Sequence, residues 1–146
     1  MLSWSDLFIE DPSVDFGRIF SCWPQHELGR VRPIGLSAFG DCYFEREDGS
    51  VLVLDPLEGA IRQVAPSVAE FQQLMNSPQW QAQNLMPSLV AALLSRGLAR
   101  GATQVFGFAP HPAFTGKLSA EHAMPLDAVV WHSICSEVAA GADTRP

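Results

Sequence analysis

The sequence predicts an α+β fold in which a small antiparallel sheet packs against helices gathered on one side of it. Asp48 and Gly49 stand between two apolar runs, and an Asp-Gly pair in this position is a strong signal for a β-hairpin, because glycine accepts a positive φ without a steric clash. Apolar residues also recur with the 3.6-residue period of amphipathic helices on both sides of this hairpin. At 146 residues, the chain has the length of a single domain, residues 1–146.

The first predicted helix covers residues 14–23, which carry one stripe of large apolar side chains. These side chains belong to Phe16, Ile19, Phe20 and Trp23. Pro24 ends the helix, because a proline disfavours the helical conformation of the residue before it. The polar segment 25–33 is then predicted to be a loop.

The predicted hairpin covers residues 36–54, with one strand at 36–45 and the other at 51–54. A proline and a glycine occupy turn positions directly after it. Residues 60–64 are therefore predicted to return as a third antiparallel strand.

Two helices are predicted next. Ser67 and Glu70 have the S-x-x-E spacing of a capping box, which predicts a helix over 67–76. Apolar residues at helical spacing predict a longer helix over 79–96. Proline disrupts a helix interior but suits the first turn, so this helix either kinks at Pro87 or begins there.

The remaining chain is predicted to form a strand at 104–108, an irregular loop at 109–125 and a final helix over 126–139. The loop holds three prolines and two histidines without periodicity, and long loops in compact domains are often functional. Residues 141–146 are expected to be a frayed tail. The apolar stripe of the final helix is Leu126, Val129, Val130, Ile134 and Val138.

The amino-acid composition argues against some classes of function and favours others. The formal net charge is −7, whereas a nucleic-acid-binding protein needs a basic surface that displaces counterions from phosphates. An acidic protein attracts basic partner proteins instead.

No apolar run is long enough to cross a bilayer and no signal peptide is recognised, so a cytoplasmic protein is expected. Cys22, Cys42 and Cys135 are widely spaced and are expected to be reduced thiols.

We predict no cofactor, no metal and no catalytic residue. His111, His122 and His132 lack the close spacing of common metal-ligand pairs. Cys135 lies three residues after His132 on the same helical face, but a cysteine hydrolase also needs a group that orients the base, and the sequence names none. A non-enzymatic protein is therefore expected. The alternative is a small hydrolase that uses His111 or His122 as a general base.

Two groups of residues are the predicted partner-binding sites. The acidic side chains at the hairpin tip and in the following turn offer negative charge to a basic surface. They are Glu45, Glu47, Asp48 and Glu58. Trp4 and Phe8 precede the first helix and are expected to form an exposed apolar patch, which is typical of an interface.

Several segments, taken together, resemble one bacterial family. They are residues 39–44, 49–55, 67–71 and 105–110, then Gly116, then 127–134 with His132. The resemblance covers about residues 33–138. The family is the C-terminal domain of the immunity protein that protects against a DNA-degrading effector of the type VI secretion system. The hairpin followed by helices also resembles the broader SUKH immunity superfamily.

This resemblance implies a non-enzymatic cytoplasmic protein of bacteria that binds a cognate secreted toxin and neutralises it. A nuclease toxin would be blocked by covering its basic active-site surface. The resemblance to the SUKH superfamily leaves a second implication open, a regulatory or scaffold domain with a different protein partner.

Overall fold

The computed structural model describes residues 2–143 and confirms the α+β class. Its main sheet is antiparallel, with five strands in the order β1-β2-β3-β4-β5, so each strand pairs with its neighbour in the sequence. The strands are β1 (Phe8–Ile9), β2 (Val31–Ser37), β3 (Cys42–Arg46), β4 (Val51–Asp55) and β5 (Ala60–Ala65).

The predicted hairpin is formed by β3 and β4, whose register runs from Glu45 opposite Val51 to Cys42 opposite Leu54. Gly49 adopts a φ of 88°, and its N–H donates to the carbonyl of Arg46 at 2.9 Å. The Asp-Gly turn therefore works as the sequence predicts.

The predicted strand 36–45 is wrong as a single strand, because a tight turn divides it. β2 begins at Val31, inside the predicted loop, and ends at Ser37, while β3 begins at Cys42. The Ser37 hydroxyl donates to the Asp41 carboxylate at 2.7 Å and accepts from the Asp41 N–H at 3.1 Å. Gly40 has a φ of 96°, which a side chain would strain.

The predicted strand at 104–108 exists as β6 (Gln104–Phe108), but it belongs to a second sheet. Its antiparallel partner is β7 (Ala123–Asp127). The predicted irregular loop is therefore wrong at residues 123–125, and the predicted final helix is wrong at residues 126–127, which belong to this strand. The N–H of Phe106 donates to the carbonyl of Ala38 at 2.7 Å, so β6 is attached to the turn between β2 and β3.

The helices, in chain order, are α1 (Trp4–Leu7), α2 (Phe16–Ser21), α3 (Val68–Met75), α4 (Pro78–Asn84), α5 (Pro87–Ser95), α6 (Pro112–Thr115) and α7 (Ala128–Asp143), with 3-10 turns at Pro24–His26 and Ala120–His122. Ser67 caps α3 as predicted, accepting from the N–H of Glu70 at 3.2 Å. Within residues 2–143, no helix has both the length and the apolar character that a membrane crossing requires.

The backbone decides between the two alternatives at Pro87 and corrects the predicted tail. The predicted helix 79–96 is two helices, because Met86 adopts a left-handed φ of 50° and Pro87 is the first residue of α5. The chain thus begins a helix at Pro87 and does not kink there. The predicted tail is wrong for residues 141–143, which continue α7, and residues 144–146 lie outside the described part of the chain.

Helices cover both faces of the main sheet, which corrects the expectation that they gather on one side. Tyr43 and Phe44 are adjacent in β3, so their side chains point to opposite faces. The Tyr43 ring stacks on Phe71 of α3, with centroids 5.2 Å apart. The Phe44 ring meets Phe20 of α2 edge-on at 5.4 Å.

Candidate functional site

His132 of α7 is completely buried and joins three parts of the fold. Its Nδ1 accepts from the indole N–H of Trp23 at 3.0 Å, and its Nε2 donates to the carbonyl of Gly40 at 2.6 Å. An indole nitrogen only donates, so Nδ1 carries no proton and the ring is neutral. Burial lowers the pKa of His132 to about 4. His132 is therefore a structural residue that is fully occupied by two hydrogen bonds.

The neighbouring Trp131 fixes α7 to the same turn. Its indole N–H donates to the carbonyl of Phe39 at 3.2 Å. A Cβ added to Gly40 would lie 2.9 Å from the Trp131 ring, and one added to Gly107 would lie 2.8 Å from it. The indole therefore fills the space that these two glycines leave open.

Cys135 is paired with a histidine, but with His111 and not with His132. The His111 Nε2 and the Cys135 Sγ are 3.4 Å apart, and both residues are buried. His111 Nδ1 accepts from the N–H of Ala113 at 3.0 Å, which leaves the ring proton of the neutral imidazole on Nε2. Nε2 therefore donates to the sulfur and is not free to accept the thiol proton.

Burial acts on both members of this pair. It raises the pKa of the Cys135 thiol and lowers the pKa of the His111 imidazole, so both are held in their neutral forms. A thiolate nucleophile needs the opposite shifts. The pair suits packing of α7 against α6.

His122, the other candidate base, lies on the 3-10 turn before β7. Its Nδ1 is buried and makes no hydrogen bond among the described residues. Over the same part of the chain, no group of three or more histidine, cysteine, aspartate or glutamate side chains is arranged to hold a metal ion.

Arginine side chains lie beside the acidic side chains at the hairpin tip. Arg32 donates to the Glu45 carboxylate at 2.9 Å, and Arg30 lies 3.9 Å from Glu47. The Asp48 carboxylate accepts from the N–H of Ser50 at 2.9 Å. With Arg46 also at the tip, the formal charges of three acids and three arginines cancel there.

The structure does not bring the predicted partner-binding residues together. Glu58 lies beyond the far end of β4, a strand whose length separates it from Asp48 by about 15 Å. Trp4 is 39% exposed, and its indole N–H donates to Glu10 at 3.2 Å. It lies beside β1, at the opposite edge of the sheet from β5.

The expectation of an exposed patch at Trp4 and Phe8 is wrong for Phe8. Phe8 is 2% exposed, because it lies in β1 opposite Ser37 with its ring 5.7 Å from that of Tyr43. The segment before the first predicted helix is thus part of the sheet, and Phe8 packs in the core.

An open cleft between α2 and α7, here called the α2–α7 cleft, has a volume of about 590 Å³. Its lining includes Arg18, Ser21, Cys22, Val130, Ile134 and Glu137. Val130 is 47% exposed and Ile134 is 36% exposed, and they lie one turn apart on α7. The cleft combines apolar side chains with one positive and one negative group.

Sequence reasoning missed this cleft because it assigned Val130 and Ile134 to the buried stripe of the last helix. Within residues 128–141 of α7, the buried residues are Ala128, Trp131, His132 and Cys135. These four also recur at helical spacing, so the sequence carried a second stripe through the same helix. The large side chain of Trp131 was the signal in the sequence that this second stripe is the buried one.

Comparisons with known proteins identify the fold alone. No family model matches the chain. No curated protein matches it either. The crystal structure of Atu4351 from Agrobacterium tumefaciens is similar, with a TM-score of 0.59 and 17% identity, over 92% of this chain and 68% of that one.

Proposed function

We propose that this protein is a non-enzymatic immunity protein that binds a secreted bacterial toxin and covers the toxin's active surface. The observation that carries the proposal is the α2–α7 cleft, which presents Val130 and Ile134 to solvent on a strongly acidic chain. A compact apolar patch with a polar rim is the usual anatomy of a protein interface.

The two apolar side chains are the anchors of the proposed interface. Complete burial of a valine or isoleucine contributes about 1.5–3 kcal/mol, and both are already partly buried, so each gains less than that. Arg18 and Glu137 line the same cleft and offer one charge of each sign to the partner. Charges at a rim set orientation and specificity more than affinity.

The net charge of −7 supports a basic partner. A nuclease must present a positive surface to hold DNA phosphates, and an acidic protein is attracted to that surface over a distance of about one Debye length. Glu58 and other acids outside the cleft contribute to this attraction. We propose a DNase as the toxin.

A regulatory or scaffold domain of the SUKH type is the second candidate, since the same cleft would serve a different protein partner. The hydrolase alternative is less favoured, because His111 presents a protonated nitrogen to the sulfur. Replacement of His111 and His122 by alanine separates these functions. A toxin-binding protein keeps its protection if it remains folded, whereas a hydrolase loses its activity.

The direct test is co-purification with the product of a toxin gene next to the gene for this protein. Wild-type protein should retain that product and suppress its activity. Ile134→Glu places a charge in the cleft and should abolish retention. Met124→Glu is the matched control, because Met124 is 40% exposed on β7 and outside the cleft.

Failure of the wild-type protein to bind the adjacent gene product, or equal retention by both variants, would contradict the proposal. Binding to a non-toxic protein through the same cleft would favour the regulatory candidate.

A further inference from the structure

We propose that the outer edge of β5 binds an extended basic segment of another polypeptide as an added antiparallel strand. This site is distinct from the α2–α7 cleft and does not depend on the toxin proposal. The inference rests on the free edge of β5, on the cleft beside it and on the unpaired charge of Glu70.

β5 is the last strand of the main sheet. In an antiparallel ladder, alternate residues of an edge strand direct their N–H and C=O groups away from the neighbouring strand. Within residues 2–143, no strand pairs with the outer side of β5. Ala60, Arg62 and Gln63 are exposed residues of this strand.

The opposite edge of the sheet is protected, and the contrast singles out β5. β1 covers the end of β2 at Leu36 and Ser37. The uncovered part of β2 contains Pro33, which has no N–H to donate, and the charged Arg32 beside it. Proline and charged residues are common protections of sheet edges.

β5 has no proline, and its own charge is already engaged. Arg62 lies 3.2 Å from the Asp55 carboxylate of the adjacent strand. A bulge at Val64 interrupts the register with β4, so regular pairing is limited to Ala60–Gln63. An edge charge and a bulge also restrict strand addition, but β5 is protected less fully than the opposite edge, and its regular part, Ala60–Gln63, leaves room for a short added strand only.

A cleft of about 550 Å³ lies beside the C-terminal half of this strand, between β5 and α3. It is lined by Val64, Ala65, Pro66, Glu70, Gln73 and Leu74. An edge strand beside a helix is a recognised geometry for peptide binding, in which the backbone supplies hydrogen bonds and the groove receives alternate side chains.

The negative charge of Glu70 favours a basic segment as the added strand. Glu70 is the only ionisable side chain lining the cleft, and it has no cationic partner within 4 Å among residues 2–143. A lysine or arginine of the added strand would pair with it. The apolar side chains of Val64 and Leu74 would contact an apolar residue of the same strand.

The test uses a labelled peptide of alternating valine and lysine with the full-length protein. Backbone amide resonances of Ala60–Gln63 should shift on addition of the peptide, and some of them should exchange more slowly with solvent. A valine-glutamate peptide tests charge selection. A valine-lysine peptide methylated on alternate backbone nitrogens tests main-chain pairing. Both control peptides should bind at least about tenfold more weakly than the unmodified valine-lysine peptide.

Glu70→Lys should weaken binding of the valine-lysine peptide about tenfold, because the substitution replaces attraction to a peptide lysine with repulsion. Glu121→Lys is the matched control, because Glu121 is exposed and lies outside the cleft.

Three results would overturn the proposal. The first is an unchanged affinity in Glu70→Lys, and the second is a set of peptide-induced shifts confined to α2 and α7. The third is self-association of the peptide-free protein through β5, which would assign this edge to a second copy of the chain.

Discussion

The indole nitrogen of Trp23 donates a hydrogen bond to Nδ1 of His132 at 3.0 Å, across 109 positions of the sequence. This contact determines the tautomer of His132 and leaves its Nε2 proton for the carbonyl of Gly40. One buried histidine thus joins the segment after α2, the turn between β2 and β3, and helix α7. Helix α7 also carries Val130 and Ile134, so this network positions the proposed interface.

Trp23→Phe should destabilise the protein. Phenylalanine keeps a large ring but removes the donor, which leaves a buried nitrogen of His132 unpaired at a cost of about 1–3 kcal/mol. Chemical denaturation measures the change in the free energy of unfolding. Trp4→Phe is the control, because Trp4 is exposed and its N–H donates to the surface residue Glu10. This variant should change stability by less than about 0.5 kcal/mol. Equal losses in the two variants would contradict the role of the Trp23–His132 bond.

His132, which is buried, and Asp41, which is partly buried, should give opposite dependences of stability on pH. Burial lowers the pKa of His132 to about 4, so its contribution is full above its unfolded value of about 6.5 and is lost as the pH falls through 4. Burial, with the Asp55 carboxylate nearby, raises the pKa of Asp41 to about 6. The contribution of Asp41 is therefore full below its unfolded value of about 3.9 and is lost as the pH rises through 6.

The contributions of these two groups should consequently cancel, so that they change the wild-type free energy of unfolding little between pH 4 and 6.5. Asp41→Asn removes one of the opposing contributions and should make the protein lose stability on acidification across that window. His132→Gln removes the other and should reverse the slope, in addition to lowering stability at every pH. Denaturation series at several pH values measure both slopes. Parallel slopes in wild type and Asp41→Asn would contradict a raised pKa for Asp41.

Gly107→Ala should be strongly destabilising. An added Cβ would lie 2.6 Å from Leu126 and 2.8 Å from Trp131, distances that require the packing of α7 to shift. Overpacking of this kind typically costs about 1–3 kcal/mol. In Gly17→Ala the added methyl has room, and because glycine is a poor helix former the variant should be neutral or gain about 0.5–1 kcal/mol. Thermal unfolding compares the two, and a stable Gly107→Ala would show that Trp131 does not pack as described.

The cysteines should differ sharply in reactivity. Cys42 and Cys135 are buried with pKa values raised by desolvation, whereas Cys22 is partly exposed at the α2–α7 cleft. A thiol reagent should label Cys22 slowly in the native protein and the other two only after denaturation. Mass spectrometry of the labelled peptides identifies the sites. Rapid native labelling of Cys135 would reveal a thiolate and would revive the hydrolase alternative.

Local signals in the sequence predicted much of the fold. The hairpin of β3 and β4 rests on Asp48 and Gly49, and the start of α3 rests on Ser67, because each involves contacts within a few residues. β7 was not predicted, since Pro125 lies within it and its pairing with β6 is the contact that defines it. The division of the strand 36–45 was also not predicted, because the turn depends on Gly40 and on Trp131 packed against it.

The candidate site was harder to predict, since it depends on which face of α7 is buried. Two apolar stripes run along this helix, and only contacts with distant partners select the one that contains Trp131 and Cys135. Phe8 was misplaced for a similar reason, because α2 and the segment after it lie between Phe8 and its partner Ser37. Acidic residues at the hairpin tip were visible in the sequence, but Arg30, just before β2, and Arg32, within it, became their neighbours only through strand pairing.

The most direct measurement of the central claim is a titration of the purified adjacent-gene toxin with this protein, followed by the toxin's own activity. We predict that wild-type protein abolishes the activity at equimolar ratio, and that Ile134→Glu leaves it intact while Met124→Glu still inhibits. Full inhibition by Ile134→Glu, or undiminished toxin activity with excess wild-type protein, would contradict the account.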